Sequence, residues 1–187
     1  TGGGNTAVGD KALDANTIDN NNTAVGINAL AGNTTGANNT AFGAYSLDAN
    51  TSADNNTAFG YAALSANTTG TLNTAVGVNA LTANTKGDRC VAVGHNALSS
   101  MNITTSTHMY NVAVGLNALS QTTTGQYNVA VGGDCCNTQT TATNNTGVGH
   151  GALYYSTGSY NVAMGTGTLD ANTTANYNTA LGWAALG

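Results

Sequence analysis

An all-β fold, a parallel β-solenoid (β-roll) of about eleven 17-residue coils, is what this sequence predicts, and three observations carry the prediction. First, a glycine recurs as Gly9, Gly26, Gly43, Gly60, Gly77, Gly94, Gly115, Gly132, Gly149, Gly165 and Gly182, in steps of 17 residues interrupted by one of 21 and one of 16. Second, the residues around that glycine repeat with it, as Asn-Thr-Ala-Val-Gly-x-x-Ala-Leu-x-Ala-Asn-Thr-x-x-x-x counted from the Asn at position 1. A fixed period of this kind marks stacked units that share one continuous core. Third, a helix is excluded. The apolar residues at positions 2, 4 and 9 do not follow the i, i+3, i+4, i+7 pattern, and Gly, Asn and Thr at this density are poor helix formers.

The repeats begin at Asn5, Asn22, Asn39, Asn56, Asn73, Cys90, Asn111, Asn128, Asn145, Asn161 and Asn178. Residues 1–187 therefore read as a single array with no composition break or linker. The opening Thr1-Gly2-Gly3-Gly4 looks like the tail of an earlier repeat, and Leu186-Gly187 falls within one. The chain is accordingly expected to be a segment of something longer.

Within the unit, position 4 is Val8, Val25, Phe42, Phe59, Val76, Val93, Val114, Val131, Val148, Met164 or Leu181, and position 2 is Thr or Val. Constant apolar character predicts that position 4 points inward on a strand, and position 2 shares its parity. Position 9 is Leu from Leu13 to Leu186 with the single exception of Cys136, which predicts a second inward anchor. Glycine at position 5 should end the first strand, through φ > 0 or a close backbone approach. Asn-Thr-x-Gly, as in Asn33–Gly36 and Asn67–Gly70, should form a second turn. Two short strands and two turns per unit are the result.

Position 3 holds Ala7, Ala24, Ala41, Ala58, Ala75, Ala92, Ala113, Ala130, Ala163 and Ala180, with Gly147 in the ninth repeat. By the same parity these alanines should face away from the core. A surface position restricted to small residues predicts close packing against another copy of the chain, so they form the expected oligomer interface. A thin coil buries few apolar groups, which also favours association.

Charged residues make up 6% of the chain, with no Glu, no Pro and a net charge of −5. An ordinary soluble domain carries about a quarter. Stacking explains the scarcity. A charge repeated at one position would form a like-charge ladder, whereas Asn can ladder through hydrogen bonds. The acidic balance argues against a nucleic-acid partner, which requires a Lys/Arg footprint. No apolar run approaches the length of a membrane-spanning helix.

Candidate chemistry is sparse. Cys90, Cys135 and Cys136 lack metal-ligand spacing, and Cys135-Cys136 replaces the usual Ala-Leu as a small apolar pair. His95 and His150 occupy the variable position 6. The carboxylates are isolated, so the paired acids of a glycosidase are missing. We expect no enzymatic activity, no cofactor and no metal site. Insertions in solenoids gather on one face, often the binding face. The four extra residues of the sixth repeat fall within Ser99–Tyr110, so Met101, His108, Met109 and Tyr110 are expected to contact a receptor, together with Tyr154, Tyr155 and Trp183.

The Asn-Thr-Ala-Val-Gly-x-x-Ala-Leu unit resembles the head repeats of trimeric autotransporter adhesins. It resembles still more closely the repeat of phage tail-fibre proteins and fibre-like bacterial surface proteins. The resemblance spans residues 5–187. It implies a left-handed, trimeric β-roll located extracellularly, on a virion tail or cell surface. The function it implies is a rigid structural and adhesive fibre module for attachment to a host or surface, through a glycan or protein receptor. Two other classes compete. One is a self-assembling extracellular filament, since uncapped repeats expose stacking edges. The other is an ice-binding solenoid, since position 13 is Thr in nine repeats, from Thr17 to Thr173.

Overall fold

The computed structural model describes residues 2–105 and 107–187. Thr1, and Ser106 within the inserted loop, lie outside the described residues. The chain is a parallel β-solenoid. Thirteen strands occur in the order β1 (Thr6–Val8), β2 (Thr23–Val25), β3 (Thr40–Phe42), β4 (Thr57–Phe59), β5 (Thr74–Val76), β6 (Gly87–Asp88), β7 (Val91–Val93), β8 (Thr107–His108), β9 (Val112–Val114), β10 (Val129–Val131), β11 (Thr146–Val148), β12 (Val162–Met164) and β13 (Thr179–Leu181). Eleven of them form one parallel sheet, each coil adding one strand in register with the last. Strands β6 and β8 form a separate parallel pair beside the inserted loop. Ten steps at the strand spacing give a rod roughly 50 Å long.

Each coil thus has one three-residue strand, and among the described residues only the fifth and sixth add a second, the two-residue β6 and β8, where two per coil were expected. The reason lies just past position 5. The position 8 amide donates to the position 5 carbonyl (Ala80 to Gly77, 3.4 Å), and the position 10 amide to the position 7 carbonyl (Thr82 to Asn79, 3.3 Å). Asn79 and Leu81 have φ of 56° and 52°. A positive φ at the third residue of an i→i+3 turn marks type II, so two overlapping type II turns replace the second strand. These turns are still laddered between coils, as by the Leu81 amide on the Ala97 carbonyl at 3.0 Å.

The position 9 residue of every coil adopts this left-handed conformation, from Leu13 (φ 54°) to Leu186 (φ 53°), Cys136 (φ 54°) included. The conformation costs an L-residue roughly 1–2 kcal/mol. Full burial of a leucine side chain gains roughly 1.5–3 kcal/mol, so burial decides the outcome. Leu30, Leu47, Leu64, Leu81, Leu98, Leu119 and Leu153 are completely buried, which matches the inward anchor expected at position 9.

The strand faces are inverted relative to expectation. Ala24, Ala41, Ala58, Ala75, Ala92, Ala113, Ala130 and Ala163 are completely buried and Ala180 nearly so; only Ala7, in the first coil, is exposed. Residues at positions 2 and 4 are exposed or half-buried in all eleven coils. The alanines line the chain's own core and are not available to another copy. Their size is set by the thinness of the coil. In the ninth repeat, where glycine takes the place of alanine, a Cβ on Gly147 would lie 2.6 Å from Cys135 Sγ and 2.8 Å from Cys136 Sγ. Position 3 therefore packs directly on positions 8 and 9, and the two bulky sulfurs are accommodated by removal of one methyl.

The other half of the core is polar. Asn22, Asn39, Asn56, Asn73, Asn111, Asn128, Asn145 and Asn161, all at position 1, are buried. Each Oδ1 accepts the backbone N–H of position 1 in the next coil, at 2.8–3.0 Å. Each Nδ2 donates to a carbonyl 13 or 14 residues later, closing its own coil. A second column, Asn33, Asn50, Asn67 and Asn84, donates to the preceding asparagine and to that same closing carbonyl. These are the asparagine ladders that the low charge suggested.

Both columns change character in the sixth coil. Cys90 stands at position 1 and Met101 at position 12, their sulfurs 3.8 Å apart. Met109 is buried with them. An apolar sulfur-rich plug replaces paired amides where the inserted loop leaves the coil.

Candidate functional surfaces

The sheet carries position 2 (Thr6 to Thr179) and position 4 (Val8 to Leu181) on its outer side. The position 4 column is apolar without exception. Phe59 is 52% exposed and stacks on Phe42 at 4.8 Å between ring centres. Ile27, Tyr61, Val78 and Leu116, at position 6 just beyond the glycine turn, widen the stripe. Large continuous apolar patches are unusual on a monomer and mark interaction surfaces.

The receptor residues expected from sequence divide into two groups. Met101 and Met109 are completely buried and cannot contact a receptor. The insertion is not uniformly exposed: Thr104 and Thr105 project, while its two methionines return to the core. His108 and Tyr110 are exposed. His108 Nδ1 lies 3.2 Å from the buried Asp88 carboxylate, and Tyr110 stacks on Tyr127 at 5.6 Å with Arg89 above its ring. Tyr155 and Trp183 are exposed, Trp183 by 83% in the last coil. Tyr154 is half-buried and packs edge to face on Tyr155 at 4.6 Å. The loop set and the Tyr154–Tyr155 set lie three coils apart along the rod and do not converge.

The position 13 threonines also have a structural role. Thr34 Oγ1 donates to the Thr51 carbonyl at 2.9 Å, and Thr51, Thr68 and Thr123 do the same one coil on. The Thr-x-Thr spacing at Thr122 and Thr124 does not form a surface pair, because Thr122 is buried.

All three cysteines are free and buried. Burial pushes the Cys90 thiol up to about 12, partly offset by a hydrogen bond from the Asn111 backbone. The hydrogen bond with Cys135, followed by burial, raises the Cys136 thiol well above its usual range. A thiolate is the reactive form, so no thiol should react with Ellman's reagent in the folded protein at pH 8, and all three should react in urea. One equivalent released without urea would contradict the core assignment. A raised thiol pKa holds its stabilisation in full below the unfolded value of 9.0 and loses it as pH rises towards 12. Cys90→Ala should therefore flatten the fall in melting temperature over that window; an unchanged slope would contradict the assignment.

Among the described residues no cluster of three or more His, Cys or Asp side chains could hold a metal ion, and no helix is long and apolar enough to cross a membrane. Comparison with protein-family models, curated proteins and solved structures produced no match.

Proposed function

We propose that the chain is a non-enzymatic structural and adhesive rod whose copies associate along the outer sheet face, with three chains as the number implied by the repeat resemblance. One observation carries this reading: positions 2 and 4 face outward in eleven coils, yet position 4 is never polar. A solvated face of a parallel sheet has no reason to hold that pattern, and such sheets are normally covered. The face also repeats at the strand spacing along the rod. A second copy, with the same repeat, can place a residue opposite each of its own. Its role would be attachment to a host or surface, on a virion tail or the cell exterior.

Light scattering coupled to size exclusion tests this directly. The expected mass is three times the 18.5 kDa chain, falling to one chain in the Phe59→Asp, Val93→Asp double variant. A wild-type monomer would overturn the association, and a void-volume species that the double variant leaves intact would replace it with end-to-end stacking.

A further inference from the structure

We infer that a notch between the ninth and tenth coils, formed by His150, Gly151, Tyr154, Tyr155, Gly167 and Asp170, binds a single neutral sugar ring. It is a cavity of about 240 Å³, below the range of drug-sized pockets and suited to one small ring. It arises from substitutions confined to these two coils. Position 7 carries a side chain in every earlier coil, including Asn79, Asn96 and Asn117, but is Gly151 and Gly167 here. A Cβ on Gly151 would meet nothing within 4 Å, so the loss of that side chain opens space instead of relieving a clash. Positions 10 and 11, which are Ser65-Ala66 and Thr82-Ala83 elsewhere, become Tyr154-Tyr155.

The chemistry of the lining selects the ligand. The two tyrosines meet at 70° and offer an apolar wall for the C–H face of a pyranose. The Asp170 carboxylate accepts hydrogen bonds from adjacent hydroxyls, and the His150 imidazole can donate or accept. The Asp134 carboxylate, 3.9 Å from His150 Nε2, adds negative charge and disfavours acidic sugars or phosphate. A quaternary ammonium group, the other ligand that tyrosines attract, has no hydroxyl to hydrogen-bond with the Asp170 carboxylate or the imidazole. The notch is built from positions 6, 7, 10 and 11, beyond the glycine turn and off the strands themselves. This site rests on the attachment reading for its purpose, but its test is independent of it.

The decisive variant is Gly151→Asn. Gly151 has φ 65°, close to the 56° of Asn79 and Asn96 at the same position, so asparagine fits the backbone and refills the notch without disturbing the fold. The methyl glycosides of glucose, galactose, mannose and N-acetylglucosamine are titrated into the full chain by saturation-transfer NMR, with tetramethylammonium as the competing probe. At least one glycoside should bind with a Kd on the order of 1 mM, as expected for so small a ligand. Gly151→Asn and Tyr155→Ala should each weaken it roughly tenfold or more. No glycoside binding, equal binding by Gly151→Asn, or binding of tetramethylammonium alone would each overturn the site. An oligomer of the expected mass that binds no glycoside would remove the site and leave the rod, whereas a monomer that binds one would do the reverse.

Discussion

Gly77→Ala is expected to destabilise the array by about 2–6 kcal/mol, through backbone strain and overpacking of roughly 1–3 kcal/mol each. Gly77 has φ 131°, a region that side-chain-bearing residues avoid. A Cβ there would lie 2.5 Å from the Gly94 carbonyl oxygen and 2.7 Å from its carbon. The obstacle is the backbone of the next coil, which is itself hydrogen-bonded through the Gly94 amide to the Val76 carbonyl at 2.7 Å, so it cannot yield without breaking the ladder. Gly151→Ala is the matched control: its φ is also positive but the space before it is open, and about 1 kcal/mol is expected. Urea unfolding followed by circular dichroism measures both. Because each coil contacts only its neighbours, a break at Gly77 should also separate the melting of the two halves. A Gly77→Ala protein within about 1 kcal/mol of wild type would mean that the coils can slide apart, and would remove the close approach as the reason for the 17-residue glycine.

Much of this was legible in the sequence, and the part that was not has a definite cause. The period announced a stacked array, and Leu81 and its equivalents announced the anchor, because neither inference depends on which way a side chain points. The strand face was misread because parity was assigned from hydrophobicity. Val76 is larger and more apolar than Ala75, so position 4 looked like core. Burial in a coil this thin is limited by space, and the small residue goes inside. The pairing of Gly147 with Cys135 and Cys136 was the visible clue, since the alanine is lost next to the coil that gained two sulfurs. The same error put the expected interface on Ala75 and its equivalents, which lie in the chain's own core. Met101 and Met109 were misplaced for a related reason: the insertion was treated as one exposed loop, although two large apolar residues at its ends would be unfavourable in solvent. The sugar notch depends on Gly151 and Gly167, and a missing side chain has no motif to search for.

Asn56→Ala is expected to cost about 2–4 kcal/mol, because one buried amide holds two coils together and its loss strands a backbone donor worth roughly 1–3 kcal/mol. Asn56 is completely buried. Its Oδ1 accepts from the Asn73 amide at 2.9 Å, and its Nδ2 donates to the Gly70 carbonyl at 2.8 Å. The two partners do not suffer equally. Gly70 keeps a second donor, Asn67 Nδ2 at 2.9 Å, whereas the Asn73 N–H has no other bond and sits in a space closed to water. The penalty therefore falls mainly on the amide, and a replacement that restores only an acceptor should recover part of it. The sixth coil already carries a cysteine at this position: Cys90 Sγ donates to the Asp88 carbonyl at 3.7 Å, and the Asn111 backbone N–H favours its charged form. Asn56→Cys should accordingly be less damaging than Asn56→Ala, although the two side chains share the loss of the Gly70 bond. If urea unfolding places Cys and Ala equal, the cost lies in the cavity and the ladder is incidental. If Cys is the milder, the asparagine column is what ties one coil to the next.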